Sequence, residues 1–164
     1  MNSKFKLILM TAALLLFFGT DARMAHAQGN KTASDSGCPV LTSAMIEKVL
    51  GQHLQSDPAQ KVPSMYGGAS GWSCRYHGGG IRIDFSVYTE ASSAEAKREF
   101  ETLSVAADDS KGKPSIGDSA FWITNNKQEP YIYVLKGKVH FSIGIIPANE
   151  TQLKNLAGAA ASGI

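Results

Sequence analysis

The run Trp72-Ser73-Cys74-Arg75-Tyr76-His77-Gly78-Gly79-Gly80-Ile81-Arg82-Ile83-Asp84-Phe85-Ser86-Val87-Tyr88 alternates with a period of two on both sides of a triple glycine. Trp72, Cys74 and Tyr76 alternate with Ser73, Arg75 and His77. Ile81, Ile83, Phe85 and Val87 alternate with Arg82, Asp84, Ser86 and Tyr88. Side chains of a strand point to opposite faces in turn, so each half reads as a half-buried strand. Glycine supplies the positive backbone angles of a tight reversal, so the two halves form an antiparallel hairpin.

On the C-terminal side, Ser92 with Glu95 three residues later has the form of a capping box. Ala96, Phe100, Leu103 and Ala107 then make one apolar stripe against Lys97, Arg98, Glu99 and Glu101, which predicts a helix. A polar loop over 108–115 follows. Strands are predicted at Ala120–Thr124, Tyr131–Leu135 and Val139–Ile146, the last two joined through Lys136-Gly137-Lys138 as a meander. Pro147 ends the run, and Asn149 with Gln152 opens a final helix with Leu153, Leu156, Ala157 and Ala160 on one side.

On the N-terminal side, Gln52–Gly71 holds Pro58, Pro63 and paired glycines without a sustained period, and reads as loop with at most one short strand. Before it, Leu41, Met45, Ile46, Val49 and Leu50 have helical spacing, with Thr42 or Ser43 as N-cap and Gly51 as stop. The expected fold is α+β in the order α-β-β-α-β-β-β-α, with about five mostly antiparallel strands and the helices on one face.

Residues 1–27 have the parts of a secretion signal. Lys4 and Lys6 are followed by an apolar run from Leu7 to Phe18 and by Ala25-His26-Ala27, which predicts cleavage before Gln28. The run has about 12 strongly apolar residues where a spanning helix needs roughly 20, so no stable membrane insertion is expected after cleavage. Residues 28–37 read as a flexible leader and residues 38–164 as a single domain. Cleavage removes Lys4, Lys6, Arg23 and Asp21, which leaves 13 basic and 13 acidic residues. That balance gives no general electrostatic basis for binding nucleic acid. Export delivers the chain to the periplasm or the external medium, where Cys38 and Cys74 are expected to pair. Their spacing is not that of a Cys-x-x-Cys redox pair, and no histidine clusters beside either as in a metal site.

Cys38 before the first helix, the pattern Trp72-Ser73-Cys74-Arg75-Tyr76, and Ile116-Gly117-Asp118-Ser119-Ala120-Phe121-Trp122 entering the second strand group together resemble a group of small exported domains. That group includes the extracytoplasmic sensor-like domain of some actinobacterial Ser/Thr kinases and related secreted lipoproteins of unknown function. The resemblance spans most of the chain beyond the signal and implies a non-enzymatic ligand- or partner-binding domain. It supplies no site residues, and the second cysteine pair that many members carry is absent here.

Several constellations invite a chemical reading. Gly117-Asp118-Ser119 resembles the nucleophile block of the Gly-Asp-Ser-Leu esterases, but no histidine has Asp three residues before it. The structural reading is a turn at Gly117, a backbone contact by Asp118 and a strand from Ala120. Gly68-Ala69-Ser70-Gly71 lacks a spacer of the Gly-x-Ser-x-Gly elbow, and Gly78-Gly79-Gly80 leads into a strand where a phosphate loop leads into a helix. His53, His77 and His140 share no metal-binding spacing, so neither metal nor cofactor is expected.

Aromatic residues carry the site expectation: Tyr131 and Tyr133 share one face of a strand, and Trp72 and Tyr76 share one face of another. Ile132/Val134 and Tyr131/Tyr133 cannot both face one core. One of those faces must therefore be covered by something else, such as the Gln52–Gly71 loop, or be exposed and functional. The expected function is a non-catalytic binding or interaction module for an unidentified protein, glycan or small ligand. Two alternatives stand beside it. An inhibitor or protective factor against an extracellular enzyme would use a disulfide-braced loop. A small hydrolase or metal-dependent enzyme requires His77, His140 and an acid such as Asp84 or Asp118 to converge.

Overall fold

The structure is a computed structural model in which residues 37–63 and 70–164 are described. The expected signal peptide and all of the leader but Gly37 lie outside the described residues. The fold is α+β, with three helices and a sheet of seven antiparallel strands among the described residues. The elements are α1 (Ser43–Leu50), β1 (Gln55–Ser56), β2 (Gln60–Pro63), β3 (Ser70–Gly78), β4 (Ile81–Thr89), α2 (Ser93–Ser104), β5 (Ser119–Thr124), β6 (Pro130–Lys136), β7 (Val139–Ile146) and α3 (Glu150–Ser162).

Local chemistry sets the helix limits. The Thr42 side chain accepts from the Met45 N–H at 3.2 Å, Ser92 from Glu95 at 3.2 Å, and Asn149 from Gln152 at 3.0 Å. Each thereby satisfies an N–H that has no partner within its helix. Gly51 ends α1 with φ 71°, in the left-handed region that suits glycine.

Across the sheet the order is β1-β3-β4-β7-β6-β5, with β2 also paired to β3. Two strands exceed the sequence expectation, and both come from the segment read as loop. β1 and β2 pair with opposite ends of the outer edge of β3, through Gln55↔His77 and Gln60↔Ser73. Their side chains are exposed or half-buried, so no buried face imposes a period-two pattern. Pro63 sits at the end of an edge strand, where a missing N–H is tolerated.

The helices do not share one face, contrary to expectation. One layer buries Leu41 and Ile46 with Leu153, Leu156, Ala157 and Ala160 against Cys74, Tyr76, Ile83, Phe85, Trp122, Ile132, Val134, Phe141 and Ile143. That layer holds α1 and α3. The opposite phase of β5 and β6 presents Phe121 and Leu135, which α2 buries with Ala96 and Phe100, and Ile123 and Tyr133, which stay half-buried against that cluster. The strands explain this, because Ala120–Ile123 and Tyr131–Leu135 are apolar in both phases and need cover on both sides. Glu99, placed by the sequence on the polar side of α2, is 6% exposed on the sheet side with Arg98 Nη2 3.7 Å away. It lies three residues from Ala96, so it belongs to the same helix face.

Cys38 and Cys74 form a disulfide, with Cα atoms 6.0 Å apart. Two residues along β3, the buried Tyr76 hydroxyl donates to the Leu41 carbonyl. The start of the domain is thus held to β3 at two points.

Candidate functional site

Among the described residues the α2-side face of the sheet is only partly covered. α2 lies over β6 and β7 and packs on β5 side chains, which leaves the same face of β3 and β4 without a helix among the described residues. Register assembles that face in rows. Ser73, Ser86, Ser142, Tyr133 and Phe121 are successive cross-strand partners from β3 through β4, β7 and β6 to β5. Strands lie about 4.8 Å apart, so the three serines span about 10 Å and Tyr133 stands one step beyond. All three serines are half-buried, and none of their hydroxyls has a hydrogen-bond partner among the described residues.

Taller rows flank the serines about 7 Å away on each side, two residues along each strand. On one side the register aligns Gly71, Tyr88, His140 and Leu135. The Tyr88 ring leans over Gly71 so closely that a Cβ there would sit 2.4 Å from its Cδ1. His140 stacks on the Tyr88 ring, with centroids 5.1 Å apart and planes 15° from parallel. His140 Nε2 in turn lies 2.9 Å from Glu90 Oε1, with both residues 5% exposed. The buried pair props the stack from behind. Burial, followed by the nearby Tyr133, holds the Tyr88 hydroxyl above its usual titration range.

On the other side the register aligns Arg75, Asp84, Gly144, Tyr131 and Ile123. Tyr131 lies across Gly144, where a Cβ would meet its Cε1 at 2.5 Å. Glycine is therefore what lets this ring lie flat on the sheet. The charges in this region neutralise one another: Arg75 Nε is 2.8 Å and Arg82 Nε 3.0 Å from the Asp84 carboxylate, and Arg82 lies 3.9 Å from Glu129. Hydrogen bonding to Asp84 raises the Arg75 guanidinium still further above its ordinary value. Burial, reinforced by Asp84 and Glu129 and opposed by Arg82, pushes the Tyr131 hydroxyl up. In the serine row the Tyr133 ring stacks on Phe121 at 5.2 Å and 4°, while Phe121 meets Phe100 of α2 edge-on at 4.9 Å.

The four aromatics singled out in the sequence divide between the two faces. Tyr131 and Tyr133 belong to this one. Trp72 and Tyr76 lie on the α1/α3 side, where Tyr76 is 0% exposed in the core and Trp72 is half-buried with Lys61 Nζ 5.5 Å from its ring centre. The histidines do not converge. His77 lies beside Asp57 at 3.1 Å in the row of Arg82 and Ile146, while His140 lies in the row of Gly71. Those rows are six residues apart along β3, roughly 20 Å. Asp118 is engaged elsewhere, accepting from the Gly137 N–H at 2.7 Å and pairing with Lys136 at 3.3 Å. The Gly117-Asp118-Ser119 block thus fastens the β6–β7 turn.

Sequence reading missed the serine row and the Tyr88–His140–Glu90 stack. Ser73 and Ser86 were legible as outward positions, but their alignment with Ser142 depends on β7 pairing with β4, some 55 residues away in the chain. A hollow of about 390 Å³ lies apart from the serine row, between α2 and β5, lined by Phe100, Phe121 and Leu135 with Lys97, Lys113 and Glu101. Among the described residues no side chain hydrogen-bonds a serine of the row, and each hydroxyl can both donate and accept. Comparison of the chain with protein-family models, with curated proteins and with solved structures finds no match.

Proposed function

We propose that this chain is an exported, non-catalytic binding module and that the partly uncovered sheet face is its binding surface. The observation that carries the reading is the aligned row Ser73–Ser86–Ser142, half-buried and without hydrogen-bond partners among the described residues, set between Tyr88 and Tyr131. None of the three hydroxyls is buried without a partner, so they reach solvent and are available to a ligand. The surroundings are built for rigidity. Tyr88 and Tyr131 are each fitted to a glycine, and the His140–Glu90 pair supports one of them. A preorganised surface loses little entropy on binding. The disulfide accords with export, since such bonds persist in oxidising compartments. No helix among the described residues is long and apolar enough to cross a membrane. The resemblance to exported sensor-like domains points to the same class of function.

Native mass spectrometry of the protein isolated from its own envelope tests this reading, with wild type compared with Ser86→Arg. A bound species carried by wild type and lost from the variant is the expected result. A bound species retained by Ser86→Arg puts binding elsewhere and contradicts the proposal.

A further inference from the structure

We infer that the ligand of this face is a neutral, extended oligosaccharide chain lying across the strands along the serine row. The inference rests on the reading of the face given above and adds the chemical class. Charge is the first ground. The row from Ser73 to Tyr133 contains no ionised side chain, and the titratable groups beside it are paired, in the Arg75–Asp84–Arg82–Glu129 network on one side and in the buried Glu90–His140 pair on the other. An anionic ligand would find no unopposed cation along the row, and a cationic one no unopposed carboxylate.

Hydrogen-bond chemistry is the second ground. A serine hydroxyl both donates and accepts, as does each hydroxyl of a sugar, so a row without partners among the described residues matches a polyhydroxylated ligand without imposing one polarity. Aromatic surface is the third. Tyr131 lies flat over Gly144, and Tyr133 closes the row, its other face packed on Phe121. Such rings offer apolar area to the C–H face of a pyranose.

Spacing separates a glycan from a peptide. Hydroxyls recur along the row at the inter-strand distance of about 4.8 Å, close to the length of one sugar residue in an extended chain. An extended polypeptide crossing in the same direction turns a side chain to the row only every second residue, about 6.7 Å apart, and falls out of step with the row. The row therefore offers one hydroxyl contact to each of three successive sugars, and Tyr133 stands at the next position.

Amide chemical-shift mapping of the full purified protein tests the inference, with cellohexaose, fully N-acetylated chitohexaose, maltohexaose and a hexagalacturonate as probes. A linear neutral hexasaccharide is expected to shift Ser73, Ser86, Ser142 and Tyr133, and the curved maltohexaose and the anionic oligomer to bind at least about tenfold more weakly. Ser86→Ala is expected to weaken binding about three- to tenfold, the effect of one net hydrogen bond, with its unperturbed amides unmoved. Three results overturn the inference: silence toward both linear neutral glycans, preference for the anionic oligomer, or shifts confined to the hollow between α2 and β5. The reading of the face is judged separately, by whether Ser86→Arg loses the species that wild type carries from its envelope.

Discussion

Cutting the Cys38–Cys74 bond should lower stability by an amount that follows from where it closes the chain. The cysteines are 36 residues apart in sequence, and in the chain-entropy model a loop of that size restricts the unfolded state by about 4 kcal/mol at 25 °C. Unfolding entropy near 2.1 cal/mol/K per residue, taken over residues 38–164, converts this to a fall of about 14 °C in Tm. Scanning calorimetry with and without reductant measures the shift. Cys38→Ala with Cys74→Ala provides an independent version, with a somewhat larger loss because Cys74 is 2% exposed and its sulfur is well packed. The reduced protein should nonetheless stay folded with its helix content intact, because the Tyr76 hydroxyl still holds the Leu41 carbonyl and α1 still packs on α3. A Tm change under about 3 °C refutes the loop-closure reasoning. Loss of helical circular dichroism in the reduced, folded state refutes the claim that a second tether holds the start of the domain.

Two glycines supply a contrast. Gly117→Ala forces a side chain onto a left-handed residue, φ 64°, with its Cβ 2.5 Å from the Leu135 carbonyl oxygen, and should cost more than about 2 kcal/mol in urea unfolding. Gly144→Ala meets only the outer ring of Tyr131, which can swing away, so it should change stability less than Gly117→Ala while shifting the Tyr131 ring resonances. Asp118 is held below the ordinary carboxylate range by the Gly137 N–H and Lys136. A lowered folded pKa stabilises above the unfolded value and is lost as pH falls through the folded one. Tm of wild type should therefore fall more steeply below about pH 4 than that of Asp118→Asn, as thermal scans across the acid range would show. Tyr88 and Tyr131 are raised, so their stabilisation is complete below the unfolded value near 10 and lost as pH rises through the folded one. Ultraviolet titration should show a late phenolate component that diminishes in Tyr88→Phe and again in Tyr131→Phe.

Local elements were legible in the sequence because their causes are local. The caps at Thr42, Ser92 and Asn149 and the stop at Gly51 are written within four residues of where they act. The strand alternation around the triple glycine placed β3 and β4 correctly. β1 and β2 escaped because backbone pairing to β3 holds them and their side chains are not buried. The second helix layer could have been read from the doubly apolar Ala120–Ile123 and Tyr131–Leu135, had both phases been assigned cover.

The candidate site was half legible. Tyr131 and Tyr133 were singled out because they oppose Ile132 and Val134, and the structure sets those pairs on opposite faces. Trp72 and Tyr76 carried the same aromatic signal but face the buried layer, since Cys74 between them is tied to Cys38 on that side. The serine row escaped entirely. Ser73, Ser86 and Ser142 are unremarkable outward residues until β7 is laid beside β4, and no local pattern states that pairing.

A photoactivatable diazirine side chain at position 86, compared with one at the exposed position 48 on the helix side, tests the central claim most directly in cells. Crosslinks to envelope material from position 86 but not from position 48 are predicted. Crosslinks from position 48 with none from position 86 would contradict the assignment of the serine-lined face as the binding surface.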